Sequence, residues 1–207
     1  MTDQRDRPGI VLVTPAEIEL SSFPDLLSRT LDAAPVACLR LALSTRDEGR
    51  LARAADSLRE IAHARDIPLV IESHLLLVRR LGLDGVHLLD GARSVRRARK
   101  ELGADAIVGA LCGVSRHDGM TAGEIGADYV SFGPVGATAL GDGRRAERDL
   151  FAWWSEMIEI PVVAEGGLDE DGIAALAPVA DFFALGEEVW AHADPPARLA
   201  ALHAAMA

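Results

Sequence analysis

The chain has 207 residues, of which 49% are hydrophobic and 26% are charged, and its formal net charge is −11. This composition argues against a disordered chain, and the negative charge argues against nucleic acid or an anionic membrane surface as the main partner. The same charge repels phosphate, so any bound phosphate must be held by groups arranged locally.

Neither a secreted nor a membrane protein is expected. Cys38 and Cys112 both lie inside apolar runs, which makes a disulfide framework or a zinc site improbable. Residues 1–8 are polar, lack the apolar segment of a secretion signal and are expected to be disordered. No apolar run approaches the roughly 20 residues that a membrane span needs. We therefore expect a cytoplasmic protein.

Short apolar runs typical of β-strands occur eight times along the chain, separated by longer stretches with helical periodicity. The predicted strands are Ile10–Thr14, Val36–Leu43, Pro68–Glu72, Gly85–Leu88, Ala106–Cys112, Tyr129–Gly133, Pro161–Glu165 and Asp181–Leu185. The predicted helices are Arg50–Arg65, Leu75–Leu81, Ser94–Leu102, Met120–Ile125, Ala146–Ile158, Glu170–Ala177 and a last helix from Glu188 to Met206.

This alternation predicts right-handed βαβ units and a parallel sheet. Apolar runs without strict alternation are typical of strands that are covered on both faces. Eight units in about 200 residues favour a closed barrel over an open sheet. Since no linker or composition break is visible, we predict a single (β/α)8 TIM-barrel domain over residues 1–207.

In such a barrel, functional residues lie at the C-terminal ends of the strands. Strand seven ends in Gly166 and Gly167, and strand eight is followed by Gly186 and Glu187 at a helix start. Glycine permits positive φ angles that turn backbone N–H groups toward an anion, and a helix start adds further donors. The pattern predicts a phosphate held by the N–H groups of these four residues. The alternative is two tight turns without a ligand.

Acidic residues in this region bear on that prediction. Glu187 and Glu188 suit the start of a helix, although their charge opposes a phosphate there. Glu165 precedes the two glycines and has three possible roles: a base, a hydrogen-bond partner of a ligand or an ion-pair partner of Arg40. Arg40, at the end of strand two, either pairs with Glu72 or binds an anion. The segment Gly136–Arg145 contains three glycines and is predicted to be a mobile loop over the site.

Several motifs occur together in an order that is specific. They are Leu83-Asp-Gly-Val-His-Leu88, Gly109 with Gly113-Val-Ser-Arg-His117, Gly126-Ala-Asp-Tyr-Val130 with Gly133-Pro-Val135, and Val163-Ala-Glu-Gly-Gly167. From about Arg40 to the last helix the sequence resembles the thiamine phosphate synthase/TenI family. The resemblance implies a barrel that binds hydroxyethylthiazole phosphate. Synthases of this family couple it to a pyrimidine methyl pyrophosphate with Mg²⁺, whereas TenI-like members aromatise a thiazole phosphate tautomer by proton transfer without metal.

The resemblance also implies roles for individual residues. His117 stands at the position of the proton-transferring histidine, with Ser115 beside it, and His can exchange a proton near neutral pH. Arg40 and Thr138 match ligand-binding positions of the family. The expected partner is therefore a small phosphorylated thiazole, with no nucleic acid and no membrane.

The sequence departs from the family at other ligand positions, which are Cys38, Ala42, Ser73, Ala92 and Gly141. Glu72 and Asp90 are the candidate carboxylates for Mg²⁺, each one position away from the usual ligand. We therefore expect pyrimidine coupling to be slow or absent, and Mg²⁺ to be a cofactor only if coupling survives.

Other interpretations remain open at this stage. The chain is either an enzyme, or a barrel that has lost the chemistry and only binds or regulates, or another phosphate-binding barrel enzyme such as an epimerase or aldolase. The single lysine, Lys100, lies on a predicted helix, which disfavours a Schiff-base aldolase. Trp153 and Trp154 are expected to serve packing or oligomer contacts, so a homodimer is one possibility.

Overall fold

The computed structural model describes residues 7–137 and 143–207. Eight parallel strands form a closed barrel in the order β1 to β8, with β8 pairing back to β1. The strands are β1 (Gly9–Val13), β2 (Cys38–Leu41), β3 (Leu69–Glu72), β4 (Gly85–Leu88), β5 (Ile107–Leu111), β6 (Tyr129–Phe132), β7 (Val162–Glu165) and β8 (Phe182–Leu185). The predicted (β/α)8 TIM barrel is confirmed.

Helices surround the barrel. They are α1 (Phe23–Leu31), α2 (Glu48–His63), α3 (Leu77–Leu81), α4 (Val95–Leu102), α5 (Arg116–Glu124), α6 (Arg148–Met157), α7 (Glu170–Leu176), α8 (Glu187–Trp190) and α9 (Pro195–Ala204). Helix α1 was not among the predicted segments. In the part of the chain that the structure describes, no helix is both long and apolar enough to span a bilayer.

The predicted last helix, Glu188 to Met206, is wrong in one respect, because two helices occupy this segment. The first ends at Trp190, and the second starts at Pro195. The Asp194 side chain accepts a hydrogen bond from the N–H of Ala197 at 3.1 Å and so caps α9. Proline is accommodated in a first helical turn but would interrupt the interior of a continuous helix.

Side chains alternate between two apolar regions along each strand. In β1, Ile10 and Leu12 are fully buried in the large core between the strands and the helices. Val11 instead belongs to a small cluster inside the barrel, together with Val163 and Ala184. The inward positions therefore form a separate interior, and the polar side chains at these positions build the site described below.

Three aspartate side chains hydrogen-bond to the backbone of a neighbouring strand at the N-terminal end of the barrel. Asp84 accepts the N–H of Leu69 at 2.7 Å, and Asp128 and Asp181 make the same bond to Val108 and Val162 at 2.7 and 2.8 Å. Each aspartate immediately precedes β4, β6 or β8 and bonds the preceding strand. The Gly-Ala-Asp part of the family motif thus serves the end of the barrel opposite to the C-terminal strand ends.

The chain ends and the tryptophans can be placed as far as the structure describes them. Of residues 1–8, which were expected to be disordered, residues 1–6 lie outside the described residues, Pro8 is buried, and Arg7 donates a hydrogen bond to the carbonyl of His203. Trp154 is fully buried and donates to the carbonyl of Ile160 at 2.8 Å. Trp153 is partly exposed, with the Arg116 guanidinium 4.8 Å from its ring centre.

Candidate functional site

A cavity of about 520 Å³ opens at the C-terminal mouth of the barrel between β1, β2, β7 and β8. It brings together most of the ligand-binding residues predicted from the sequence: Arg40, Glu165, Gly166, Gly167, Gly186 and Glu187. Val13, Ala137, Ala184 and Glu188 complete its lining. Thr138 lies outside the described residues, as do residues 138–142 in general, which are half of the loop predicted over the site.

Two glycines shape the β7 side of this cavity. Gly166 and Gly167 have φ angles of 83° and 72°, in the left-handed region that favours glycine. The loop after β6 packs directly against them, since the N–H of Gly136 donates to the carbonyl of Gly166 at 2.9 Å. A Cβ atom on Gly136 would lie 1.7 Å from the carbonyl oxygen of Gly167. The loop after β6 and the loop after β7 therefore pack backbone against backbone, with no room for a side chain at Gly136.

Three backbone N–H groups from the β7 and β8 loops converge on one carboxylate, that of Glu188. Its Oε1 accepts from the N–H of Gly167 at 2.8 Å and of Leu168 at 3.2 Å. Its Oε2 accepts from the N–H of Gly186 at 2.9 Å. We call the N–H groups of Gly167, Leu168 and Gly186 the amide cradle. Its geometry binds an anionic group with at least two oxygens, and in this structure that group belongs to the protein.

A buried charge cluster lies below the cradle, inside the barrel. The Arg40 side chain is 6% exposed, and its NH1 nitrogen donates to Glu165 Oε2 at 3.0 Å. Its Nε lies 3.3 Å from Glu72 Oε1 but outside hydrogen-bond geometry, so this buried Nε has no hydrogen-bond partner. If both carboxyl groups are ionised, the cluster carries a net charge of −1.

Burial and the mutual charges of this cluster shift the pKa values of Arg40 and Glu72. Burial lowers the pKa of Arg40, but the charges of Glu165 and Glu72 outweigh burial and raise it, so Arg40 stays protonated. Burial raises the pKa of Glu72, Arg40 opposes this shift, and Glu165 adds to it. Glu72 therefore accepts a proton more readily than an exposed glutamate.

A histidine–tyrosine pair lies beside this cluster. His87 Nδ1 is 2.9 Å from the hydroxyl oxygen of Tyr129, and their rings stack with centres 5.7 Å apart. Burial, together with the charge of Arg40, places the pKa of His87 well below its usual value, so the imidazole is neutral at pH 7. Its Nε2 and the Oγ of Ser131 are buried without a hydrogen-bond partner.

The sequence predicted Tyr129 only as the first residue of a strand, and this pair was not foreseen. Tyr129 does begin β6, but its side chain points into the barrel and reaches His87 on β4. Gly109 makes this possible, because a Cβ atom there would lie 2.0 Å from the tyrosine ring. The glycine in the middle of a strand was the available signal.

The two residues predicted to carry proton transfer lie away from the cavity lining. Ser115 caps α5 by accepting the N–H of Asp118 at 3.1 Å. His117 is exposed on the first turn of α5. Neither is among the described residues that line the cavity. Their predicted catalytic roles therefore rest on the resemblance.

The two candidate Mg²⁺ ligands lie in different environments. Glu72 faces Arg40 inside the barrel, whereas Asp90 is exposed and accepts a hydrogen bond from Ser94 at 2.7 Å. Over residues 7–137 and 143–207, no three His, Cys, Asp or Glu side chains are grouped to hold a metal ion. Mg²⁺ in proteins is commonly held by one or two carboxylates together with waters and substrate phosphates, so an ion here would need substrate oxygens beside Glu72 or Asp90.

Comparison with known proteins assigns the chain to a family. The model of the thiamine monophosphate synthase family matches residues 10–189. The thiamine-phosphate synthase of Rhodospirillum centenum is 39% identical over 95% of this chain and 94% of its own, and that of Erythrobacter litoralis is 37% identical over 87% of both chains. A thiamine phosphate pyrophosphorylase from Pyrococcus furiosus shares the fold, with a TM-score of 0.84, 19% identity and coverage of 97% of this chain and 96% of that one. The chain belongs to the thiamine monophosphate synthase family.

Proposed function

We propose that this protein binds a phosphorylated thiazole in the cavity at the barrel mouth, with the phosphate in the amide cradle. The observation that carries the proposal is the convergence of the N–H groups of Gly167, Leu168 and Gly186 on a single anionic group. The N–H groups of Gly166 and Glu187, predicted from the sequence as donors, stand next to them in the same loops. Backbone donors of this kind bind phosphate without a lysine.

The heterocycle then occupies the rest of the cavity. Arg40 and Glu165 line its polar side, and Val13 and Ala184 line its apolar side. Arg40 supplies the positive charge on this polar side, and Glu165 pairs with it at 3.0 Å.

We further propose that coupling to a pyrimidine pyrophosphate is slow or absent. Support comes from Glu72, which is engaged by Arg40, and from Asp90, which is exposed and bonded to Ser94. A leaving pyrophosphate carries several negative charges, while the side chains around the cavity include Glu165, Glu187 and Glu188 against the single cation Arg40. This environment repels the leaving group unless other cations compensate.

A thermal-shift screen with the purified protein tests the binding. Hydroxyethylthiazole phosphate should raise the melting temperature, and adding Mg²⁺ should leave that increase unchanged. Pyrophosphate should stabilise the protein less than the thiazole phosphate does. A coupling rate comparable to that of an intact synthase, assayed with Mg²⁺, would refute the proposed loss of synthase chemistry.

A second candidate function is aromatisation of a thiazole phosphate tautomer by proton transfer through His117. It is favoured by the position of His117 on the first turn of α5, which follows the C-terminal end of β5 and therefore stands on the same side of the barrel as the cradle. His87 is a weaker candidate, because its lowered pKa keeps it neutral.

Replacing His117 separates catalysis from binding. His117→Ala should slow tautomerisation by a factor of roughly 10²–10⁴, the usual range of general acid–base catalysis. The affinity for thiazole phosphate should stay nearly the same, because His117 does not line the cavity. A variant as fast as wild type, or a wild type with no tautomerisation, would eliminate this candidate.

A further inference from the structure

Glu188 uses both of its carboxylate oxygens to fill the amide cradle. The three hydrogen bonds, at 2.8, 3.2 and 2.9 Å, come from two different loops. The residue itself stands on the short helix α8, two positions after Gly186. A phosphate ester presents the same kind of anionic oxygens to the same donors, so the side chain and a phosphate cannot occupy the cradle together.

The cavity next to the cradle is built to receive a polar ligand. Arg40, which is 6% exposed, belongs to the lining, and its Nε is buried 3.3 Å from Glu72 Oε1 without a hydrogen bond. A buried donor in this state costs free energy until an acceptor reaches it. The Arg40 side of the cavity therefore carries a buried, ion-paired cation, while the N–H donors on the other side are already satisfied by Glu188.

We propose that Glu188 determines which form of the ligand this site selects, the phosphate ester or the free alcohol. The inference rests on the proposed function, because it concerns the same cavity. A phosphate ester, with about −1.5 to −2 charges at pH 7, must displace the carboxylate before it meets the cradle. An alcohol donates its hydroxyl hydrogen to the carboxylate and leaves the three hydrogen bonds in place.

Displacement of the carboxylate has a cost that the neighbouring Arg198 does not remove. Arg198 stands close by, but its Nε already donates to the backbone carbonyl of Glu188 and its NH1 nitrogen pairs with Glu170. The expelled carboxylate would therefore exchange three N–H donors for water. The affinity of wild type for the phosphate ester therefore reflects the difference between two free energies, those with which the phosphate and the Glu188 carboxylate bind the same three N–H groups.

Isothermal titration calorimetry on wild type and Glu188→Ala tests the inference, with hydroxyethylthiazole phosphate and hydroxyethylthiazole as ligands. Glu188→Ala should bind the phosphate ester roughly 10- to 100-fold more tightly than wild type, the range expected for hydrogen bonds to charged groups. Its affinity for the alcohol should stay equal or fall. The ratio of the two dissociation constants thus moves toward the phosphate ester.

Asp171→Ala is the matched control. Asp171 is exposed in the first turn of α7, close in sequence to the β7 loop, and its removal changes the net charge by the same amount. Because exposed charges are screened by salt, the control should change the affinity for the phosphate ester less than about threefold at 0.15 M salt.

The possible results distinguish an error in the role of Glu188 from an error in the proposed binding of thiazole phosphate. If wild type binds the phosphate ester and Glu188→Ala binds it no more tightly than Asp171→Ala does, the role of Glu188 is wrong and the proposed function stands. If neither wild type nor Glu188→Ala binds the phosphate ester or inorganic phosphate, both are wrong. Should Glu188→Ala fail to fold, Glu188→Gln keeps the side-chain shape without its charge and should show a smaller gain, whereas no gain would overturn the inference.

Discussion

The mouth of the barrel has two sides that differ in how they are made. On the β7–β8 side, backbone N–H groups of Gly167, Leu168 and Gly186 converge on one point. On the β3–β4 side, the two carboxylates expected to bind Mg²⁺ are separated, with Glu72 inside the barrel against Arg40 and Asp90 exposed beside Ser94.

The difference shows which kind of site tolerates sequence change. An amide cradle depends on backbone conformation, so glycines at a few positions are enough to maintain it. A metal site depends instead on the identity and position of the side chains that ligate the ion. We expect phosphate binding to depend on the β7–β8 loops and any metal binding to depend on Glu72 and Asp90, and variants on the two sides test this difference.

The largest effect is expected from removing the cation of the buried cluster. Arg40→Ala leaves the carboxyl groups of Glu72 and Glu165 buried without their partner, so the free energy of unfolding should fall by roughly 3–5 kcal/mol. Urea denaturation at pH 7 measures this change.

Arg80→Ala provides the comparison for that loss. Arg80 pairs with Glu48 at 2.9 Å, but the two side chains are 54% and 64% exposed. An exposed pair contributes at most about 1 kcal/mol. Equal losses in the two variants would mean that the cluster around Arg40 does not hold the barrel interior together.

A smaller effect is expected from a methyl group in the β7 loop. In Gly167→Ala, the added Cβ would lie 2.8 and 2.9 Å from the backbone of Gly136 and Ala137, and φ is 72°. The free energy of unfolding should fall by about 1–3 kcal/mol, and binding of thiazole phosphate should weaken at least about tenfold, because the cradle must shift.

Gly113→Ala is the control that separates the cost of a positive φ angle from the cost of the steric contacts made by the added Cβ atom. Gly113 also has a positive φ of 56°, but a Cβ atom there meets nothing within 4 Å. It should lose only the roughly 1–2 kcal/mol of the left-handed conformation and keep ligand affinity. If both variants bind the phosphate ester as wild type does, the loop at Gly167 does not take part in binding.

The smallest effect concerns pH and the β3–β4 side. The raised pKa of Glu72 means that the folded protein binds its proton more tightly than the unfolded chain does. The contribution of this group is therefore fully present below the unfolded pKa of about 4.5 and is lost as the pH rises through the folded pKa. Glu72→Gln should remove this downward trend.

Urea unfolding of wild type and Glu72→Gln at pH 4.5 and pH 7 measures the trend. His87 contributes with the opposite sign, because its pKa is lowered and stability falls as the pH drops below about 6.5. The comparison between the two proteins cancels this contribution. A wild type that loses no more stability than Glu72→Gln between pH 4.5 and 7 would contradict the assignment of Glu72 as a buried, hard-to-ionise carboxyl group.

The sequence predicted the fold closely because the strand pattern is local. Predicted and observed strands agree to within two residues at each end: Gly85–Leu88 is identical, and Val36–Leu43, the least accurate, is Cys38–Leu41 in the structure. The break before Pro195 was missed because helical periodicity continues across it, although the two prolines signalled it.

The site was predictable only where it depends on backbone. The glycines after β7 and β8 pointed to the two loops whose N–H groups converge on Glu188. The position of Glu188 could not be foreseen, because a side chain bonding two separate loops depends on their distance in space. The same holds for Tyr129 and His87, which are 42 positions apart and meet only because both point into the barrel.

The most direct test of the central claim is to follow backbone amide signals by ¹H–¹⁵N NMR while hydroxyethylthiazole phosphate is added. At 22.0 kDa the protein suits this measurement. The cradle account predicts that the amide signals of Gly167, Leu168 and Gly186 shift most and report one shared dissociation constant. Largest shifts at Ser73 and Asp90, with those three amides unmoved, would place the phosphate on the β3–β4 side and contradict the account.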